Sequence, residues 1–569
     1  MKKRTLLSLL LAAVMMIGLL GGCGSGESAV STASSGNESA EEATGGQTES
    51  ATPEQSNAET EATEADSTQE TEPTEEAATS SIVYPLTETA ESLSVFGALP
   101  NLYSGLDIND FAVYQIAARE TGVELDWSTV DQDASSDQFA LLIAGGDWPD
   151  IAVGGIRYYT SGSEAAVEDD VFFDLSPYLE EYAPDYLNLL ESDPYYMKLA
   201  KTASGYIPAF CRIGYINSSA SGCIVRQDWL DALNLDAPTT YNELTTVLEA
   251  FKSNYDCDWP IMKGSAMFFD ISGTLMGGYG LTMDFTVRDG QVGYSPALDE
   301  WKDYLSMLNT WYSERLFSSD YTTIIGTSFT SQLYSGEVGF WVGGYDFLSD
   351  STAELVDDPN FKAAALADMT VNSGDTIHTG SFKENMTPTS SWSIFTTSDN
   401  LELAMQYCNW FYGPGKTYTD VGEEGVAWEY NDAGDITYTD LIMNNPDGYT
   451  VEVAKGLYGG GFLNPGYGSW NSTSAGFSNE QEEACFDVWN SNRDDANLYK
   501  TMMTADENAS YSAKYNDLKT YVDQVSNQAI VGEMSIDDWD SVVEAMYNDF
   551  GLQELLDICQ TAYDRYMES

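Results

Sequence analysis

The run Phe340-Trp341-Val342-Gly343-Gly344-Tyr345-Asp346 sets two large aromatic rings and a carboxylate around a pair of glycines, at the end of an apolar stretch. A flat ring offers an apolar platform, and a carboxylate beside it accepts hydrogen bonds. That combination suits a sugar ring, which is apolar on its C–H faces and hydroxylated around its rim. The same chemistry is available at Tyr215 and Asn217, at Trp392 within Ser390-Ser391-Trp392-Ser393, at Asp147 and at Trp470, which follows a glycine-rich run. Glu424 and Trp428, in Gly422-Glu423-Glu424-Gly425-Val426-Ala427-Trp428, are expected on the wall of a second lobe. Trp341, Tyr345 and Asp346 make the best case among these candidate ligand contacts on residue pattern, an apolar strand and two glycines followed by Tyr and Asp. Each candidate has a plainer reading beside it: strand core for Trp341, a hinge loop for Tyr215 and Asn217, a turn cap for Asp147, a loop brace for Glu424 and a surface loop for Trp470.

Sharper chemistries find less support. The chain has one histidine, His378, so multi-histidine zinc sites are excluded and a Ser-His-Asp arrangement would hang on that residue. Ser161-Gly162-Ser163 lacks the spacing of a nucleophile elbow. Carboxylate pairs are guaranteed by 91 Asp and Glu, but no segment marks one pair as a glycosidase acid and base. With 23 Lys and Arg the formal charge of the 569-residue chain is −68, which argues against a nucleic-acid partner. It also disfavours polyanionic ligands at long range, although a local basic pocket could override that. No cofactor or metal is expected. Cys211, Cys223, Cys257, Cys408, Cys485 and Cys559 match no metal spacing and read as buried thiols, with Cys211 and Cys223 near enough in sequence to pair.

The elements that must carry these residues alternate. Leu93–Leu99 reads as a strand, 109–121 as an amphipathic helix closed by Gly122, and 123–127 as a second strand. A helix over 135–144 leads through Gly145-Gly146 to a short strand ending at Gly154-Gly155. This order predicts right-handed crossovers and a mostly parallel, doubly wound sheet. Ligands of such sheets bind beyond the carboxyl ends of the strands, where glycines permit close approach. The stretch 539–567 has helical periodicity and reads as packing.

Several segments then match a family in order. Leu141-Leu142-Ile143-Ala144-Gly145-Gly146-Asp147-Trp148-Pro149-Asp150-Ile151, Phe173-Asp174-Leu175-Ser176-Pro177-Tyr178-Leu179, Arg226-Gln227-Asp228-Trp229-Leu230 with Pro238-Thr239-Thr240 and Glu243-Leu244, Ser335-Gly336-Glu337-Val338-Gly339-Phe340, and 422–430 together resemble the family 1 extracellular solute-binding proteins. The resemblance implies an α/β, type II periplasmic-binding-protein fold: two doubly wound lobes joined by hinge crossovers around a ligand cleft. The expected lobes are 82–217 with about 346–392, and 218–345 with about 393–569. The calcium loop of longer relatives has no counterpart at 253–260, where Asp256 and Asp258 alone supply too few oxygens, so no calcium is expected there.

The N-terminus supplies an address. Lys2-Lys3-Arg4, the apolar run 5–20 and Leu20-Gly21-Gly22-Cys23 resemble a lipoprotein signal peptide (1–22) ending in a lipobox, which implies lipidation of Cys23. Residues 24–80 hold 14 acids and no Lys, Arg or aromatic, so 23–81 reads as a disordered acidic tether. Setting aside those acids and the three N-terminal bases leaves 77 acids and 20 bases in the body, a net −57. The expected protein is a monomeric, lipid-anchored receptor on the outer face of the cytoplasmic membrane. It would hand a carbohydrate, preferably a neutral oligosaccharide, to the permease of an ABC importer driven by a separate ATPase subunit. A peptide or other polar solute is the alternative ligand, and a secreted glycoside hydrolase the alternative of another class.

Overall fold

The computed structural model describes residues 82–214, 221–261, 274–323, 327–378, 386–461, 463–494 and 502–569, all within one compact unit, Ala77–Ser569. The signal peptide and tether, Cys23, Tyr215 and Asn217 lie outside the described residues.

The first sheet is built as the alternation predicts. Strand β1 (Glu91–Leu99) runs parallel to β2 (Val123–Asp131) on one side and to β3 (Ile151–Val153) on the other. The helix between β1 and β2, Ala112–Thr121, buries Val113, Tyr114, Ile116 and Ala117 and ends at Gly122, which has φ +76°. A left-handed backbone at this position is cheap only for glycine. The helix Ser135–Gly145 returns the chain to β3. Two late segments complete the sheet. The strand Met386–Ile394 inserts antiparallel between β3 and β4 (Phe210–Gly214), and Gly466–Gly468 adds parallel to the far side of β4.

The second sheet has three strands. Strand β5 (Ser221–Arg226) lies between Phe340–Gly344 and Ala363–Leu366, antiparallel to both. Its main core gathers the helices Tyr241–Asn254, Asp299–Ser313, Ala505–Val531, Trp539–Asn548 and Leu552–Glu568. The pairings correct the expected lobe boundaries. Residues 340–366 stay with β5 in the second half, and 386–468 return to the first, because the crossover falls after the 363–366 strand rather than before it.

The segments that carried the resemblance are architectural. Arg226 is fully buried. Its Nε and Nη2 meet the Asp228 carboxylate at 2.8 and 2.6 Å, Nη2 also reaches Asp358 at 2.5 Å, and Nη1 donates to the Gly336 carbonyl at 3.0 Å. Trp229 and Phe361 cover the guanidinium at 4.5 and 5.0 Å. Thr240 and Glu243 form a reciprocal capping box at the start of the 241–254 helix. Asp150 accepts from Ser94 N and Oγ at 2.9 and 2.7 Å, from Ser398 Oγ at 2.6 Å and from Asn400 at 3.1 Å, which pins β1 and β3 to the start of the Leu401–Trp410 helix. All six body cysteines are buried thiols.

Candidate ligand-binding cleft

Strand direction locates the cleft. In the first sheet β1, β2, β3, β4 and 466–468 all end at one edge, and 386–394 begins there. The three connections to the second half, after β4, before Met386 and after Gly468, therefore leave from that carboxyl edge. In the second sheet the matching edge holds the start of β5 and, by the pairs Ser221↔Gly344 and Cys223↔Leu366, the ends of its two neighbours. Ligands of open α/β sheets bind at such edges.

On the second-half wall, Tyr345 and Asp346 follow Gly344. The half-buried Tyr345 ring meets Phe477 at 5.4 Å and Phe486 at 5.6 Å. Trp470, just past the 466–468 strand, packs edge-on against the same two rings, at 5.8 and 5.0 Å. Two of the expected platforms are thus brought onto one aromatic support. Asp346 keeps an exposed edge, but the protein around it desolvates the carboxylate. That burial, with the charge of Glu452, raises its pKa against the opposing pull of its own backbone N–H and of Lys455.

The wall facing them comes from the first half. Glu452 and Lys455 pair at 3.4 Å on the helix Val451–Tyr458, whose Val453 and Leu457 are in the first sheet's core. The Lys455 ammonium lies 5.8 Å over the Tyr438 ring. Burial, then the Glu452 charge, pushes Tyr103 up to about 12; burial chiefly, with the charge of Glu452 adding, also raises Tyr345 and Tyr438. Arg212 on β4 donates to the Thr419 carbonyl at 3.4 and 3.5 Å. Burial lowers its pKa, and the Asp420 charge opposes that. Asp420 in turn accepts from Ser469 N at 2.8 Å and Oγ at 2.5 Å, fixing the turn that presents Trp470.

A cavity of about 310 Å³ opens at the ends of β1 and β3, lined by Ala98, Pro100, Leu102, Tyr103, Gln132, Val153, Arg157, Tyr158 and Leu463. Gly154, at the carboxyl end of β3, has φ +71° and donates to the Ser391 carbonyl at 2.7 Å. A Cβ on Gly155 would stand 2.5 Å from Phe172. These glycines serve the turn and its packing, rather than ligand approach as the sequence pattern suggests.

Several candidates move from cleft to core. Trp341 is fully buried and lies near Phe361, because its strand is covered on that face. Trp392 is also fully buried, among Tyr114, Trp127, Tyr407 and Phe411, and donates to the Leu463 carbonyl at 2.7 Å. Trp428 is 4% exposed and donates to the Gly422 carbonyl at 2.9 Å. Glu424 is exposed on the same loop, and that loop packs with the Asp440–Met443 and 451–458 helices on the first-half side, not on the second. Asp147 is exposed at the amino end of β3, the edge away from the cleft; the structural aspartate of that motif is Asp150. Arg157, Arg212, Tyr103 and Glu452 were not among the sequence candidates. Arg157 could have been found by reading two residues past Gly154-Gly155.

The fold and this chemistry match a known class. The model of the bacterial extracellular solute-binding protein family matches residues 107–418, and the chain belongs to that family. It is similar to the lipoprotein LipO of Bacillus subtilis (strain 168), 25% identical over 254 residues, covering 42% of this chain and 48% of LipO. It also resembles the fructooligosaccharide ABC transporter substrate-binding protein FusA of Streptococcus pneumoniae serotype 4 (strain ATCC BAA-334 / TIGR4), 28% identical over 186 residues, 30% of this chain and 32% of FusA. The chain thus spans a third to about half the length of these curated relatives. The crystal structure of the alginate-binding protein AlgQ2 superposes with a TM-score of 0.69 at 21% identity, covering 84% of this chain and 99% of that one. The fold is that of the type II periplasmic-binding proteins. Among the described residues no helix is long and apolar enough to cross a membrane.

Proposed function

We propose that this protein captures an oligosaccharide between its two halves and delivers it to the permease of an ABC importer. The observation that carries the reading is the pairing of Tyr345 and Trp470 on one Phe477–Phe486 support, at the edge from which all three connections leave, facing hydrogen-bonding groups of the other half. Stacked rings with a few charged and polar groups are what a sugar site requires. FusA is named for fructooligosaccharides and AlgQ2 for alginate, which supports a glycan over a peptide. The body's net −57 favours a mainly neutral chain.

The mechanism is a population shift. Ligand touching both walls stabilises the closed arrangement by its differential affinity for that state. Binding without turnover is the expected chemistry, and the ATPase resides in a separate subunit. The receptor works as a monomer, held outside the cell by lipid on Cys23, as LipO's description as a lipoprotein supports. Isothermal titration of the body (82–569) against neutral oligosaccharides, homopolyuronates and peptides tests this. Micromolar or tighter binding of a neutral glycan is expected; binding of peptides or of polyuronates alone refutes it. Release of chromophore from a glycoside panel would point to a hydrolase instead.

A further inference from the structure

The cavity at the ends of β1 and β3 contains an unused cation. Arg119, Arg226, Arg288, Arg493 and Arg565 each meet a carboxylate. Arg157, in a body where acids outnumber bases by 77 to 20, meets none among the described residues, and its guanidinium donates no hydrogen bond to them, its backbone N–H alone donating, to the Gly154 carbonyl at 2.9 Å. Its guanidinium lies 5.9 Å from the Tyr158 ring centroid and is exposed. The nine residues lining the cavity include no acid.

The surroundings are donors and rings. Gln132 Oε1 accepts from the Asn101 backbone N–H at 3.0 Å, which leaves the Gln132 amide N–H groups free to donate. Tyr103 and Tyr158 supply rings, and Leu102 and Leu463 an apolar wall. The volume, about 310 Å³, is at the lower end of small-molecule sites. A planar guanidinium with its donors uncommitted matches a carboxylate in two parallel hydrogen bonds. Arg212 differs, being committed to the Thr419 carbonyl.

We infer that Arg157 is a specificity-determining residue whose pocket receives the carboxylate of one acidic sugar residue on an otherwise neutral oligosaccharide. This rests on the carbohydrate reading above and names the substrate more closely. The protein's overall charge disfavours a polyanion, and the acid-free pocket admits a single carboxylate.

The test compares one neutral oligosaccharide with the same chain bearing a single hexuronate, by titration calorimetry on the 82–569 body. The acidic chain should bind at least about tenfold tighter at low salt, and that advantage should shrink with added NaCl. Arg157→Gln should weaken the acidic chain by about tenfold or more and the neutral chain by less than about threefold, with Arg157→Lys in between. Lys519→Gln, which changes net charge equally from an exposed helical ion pair, should leave both unchanged. Equal affinity for the two chains, or equal weakening of both by Arg157→Gln, overturns the inference and leaves the receptor reading standing. Absence of any glycan binding overturns both.

Discussion

Replacing Trp392 by alanine separates the two readings of that residue, platform or core. The indole is fully buried, with ring centroids of Phe411, Trp127, Tyr407 and Tyr114 at 5.6, 5.9, 6.2 and 6.3 Å. Truncating a buried tryptophan costs about 3–5 kcal/mol. Loss of the 2.7 Å donation also leaves the Leu463 carbonyl without its partner, at about 1–3 kcal/mol. The two contributions overlap, since water entering a cavity of that size can satisfy the carbonyl, so about 5 kcal/mol in total is expected. Trp392→Phe keeps a ring and should lose about 2 kcal/mol. Urea unfolding followed by far-ultraviolet circular dichroism gives the stability change. Calorimetry below the unfolding onset gives the glycan affinity of the folded protein, expected within about threefold of the parent. A Trp392→Ala protein that unfolds like its parent yet loses more than tenfold in affinity would refute the burial argument.

Tyr345→Ala and Trp470→Ala should each weaken glycan binding by about three- to tenfold with small changes in unfolding, since an aromatic contact contributes about 0.5–1.5 kcal/mol beyond area; unchanged affinity in both, measured by calorimetry, would remove them from the site. Arg226→Met should destabilise by about 3 kcal/mol in urea melts, the low end for a broken buried ion pair, because Asp228 and Asp358 keep side-chain exposures of 13% and 25% and can hydrate. At Asp150, burial raises the pKa, but the bonds from Ser398, Ser94 and Asn400 outweigh it and hold the carboxyl below its usual value. A depressed folded pKa contributes stability above the unfolded pKa that is lost as pH falls through the folded one. Asp150→Asn should therefore cost about 2 kcal/mol at pH 7, with the gap to the parent closing below about pH 4 in acid titrations of unfolding.

Local signals in the chain foretold local structure well. The amphipathic pattern over 109–121 with Gly122 after it marks a helix and its stop; Thr240 and Glu243, read in sequence only as part of the family motif, form a cap, and both features depend on near neighbours. The cleft depended on distant ones. Trp341, Trp392 and Trp428 look in sequence like rings at strand ends, and only the layers that arrive from elsewhere bury them. The lobe boundary slipped for the same reason. Ala363–Leu366 has little hydrophobic bulk to announce a strand, yet its pairing with β5 keeps that stretch in the second half. Tyr345, Asp346 and Trp470 stood out because glycines flank them at true strand ends, whereas Arg157 gave no signal beyond its place after such an end.

The insertion of Met386–Ile394 between β3 and β4 governs the order of assembly. Until that segment leaves the ribosome, β4 has no strand partner, because its other neighbour, 466–468, comes later still, and the β2-β1-β3 ribbon keeps an open hydrogen-bonding edge at β3. The second half is no less delayed, since its longest helix and its last two follow residue 504. Neither half is complete until strands and helices from the last third of the chain have been made.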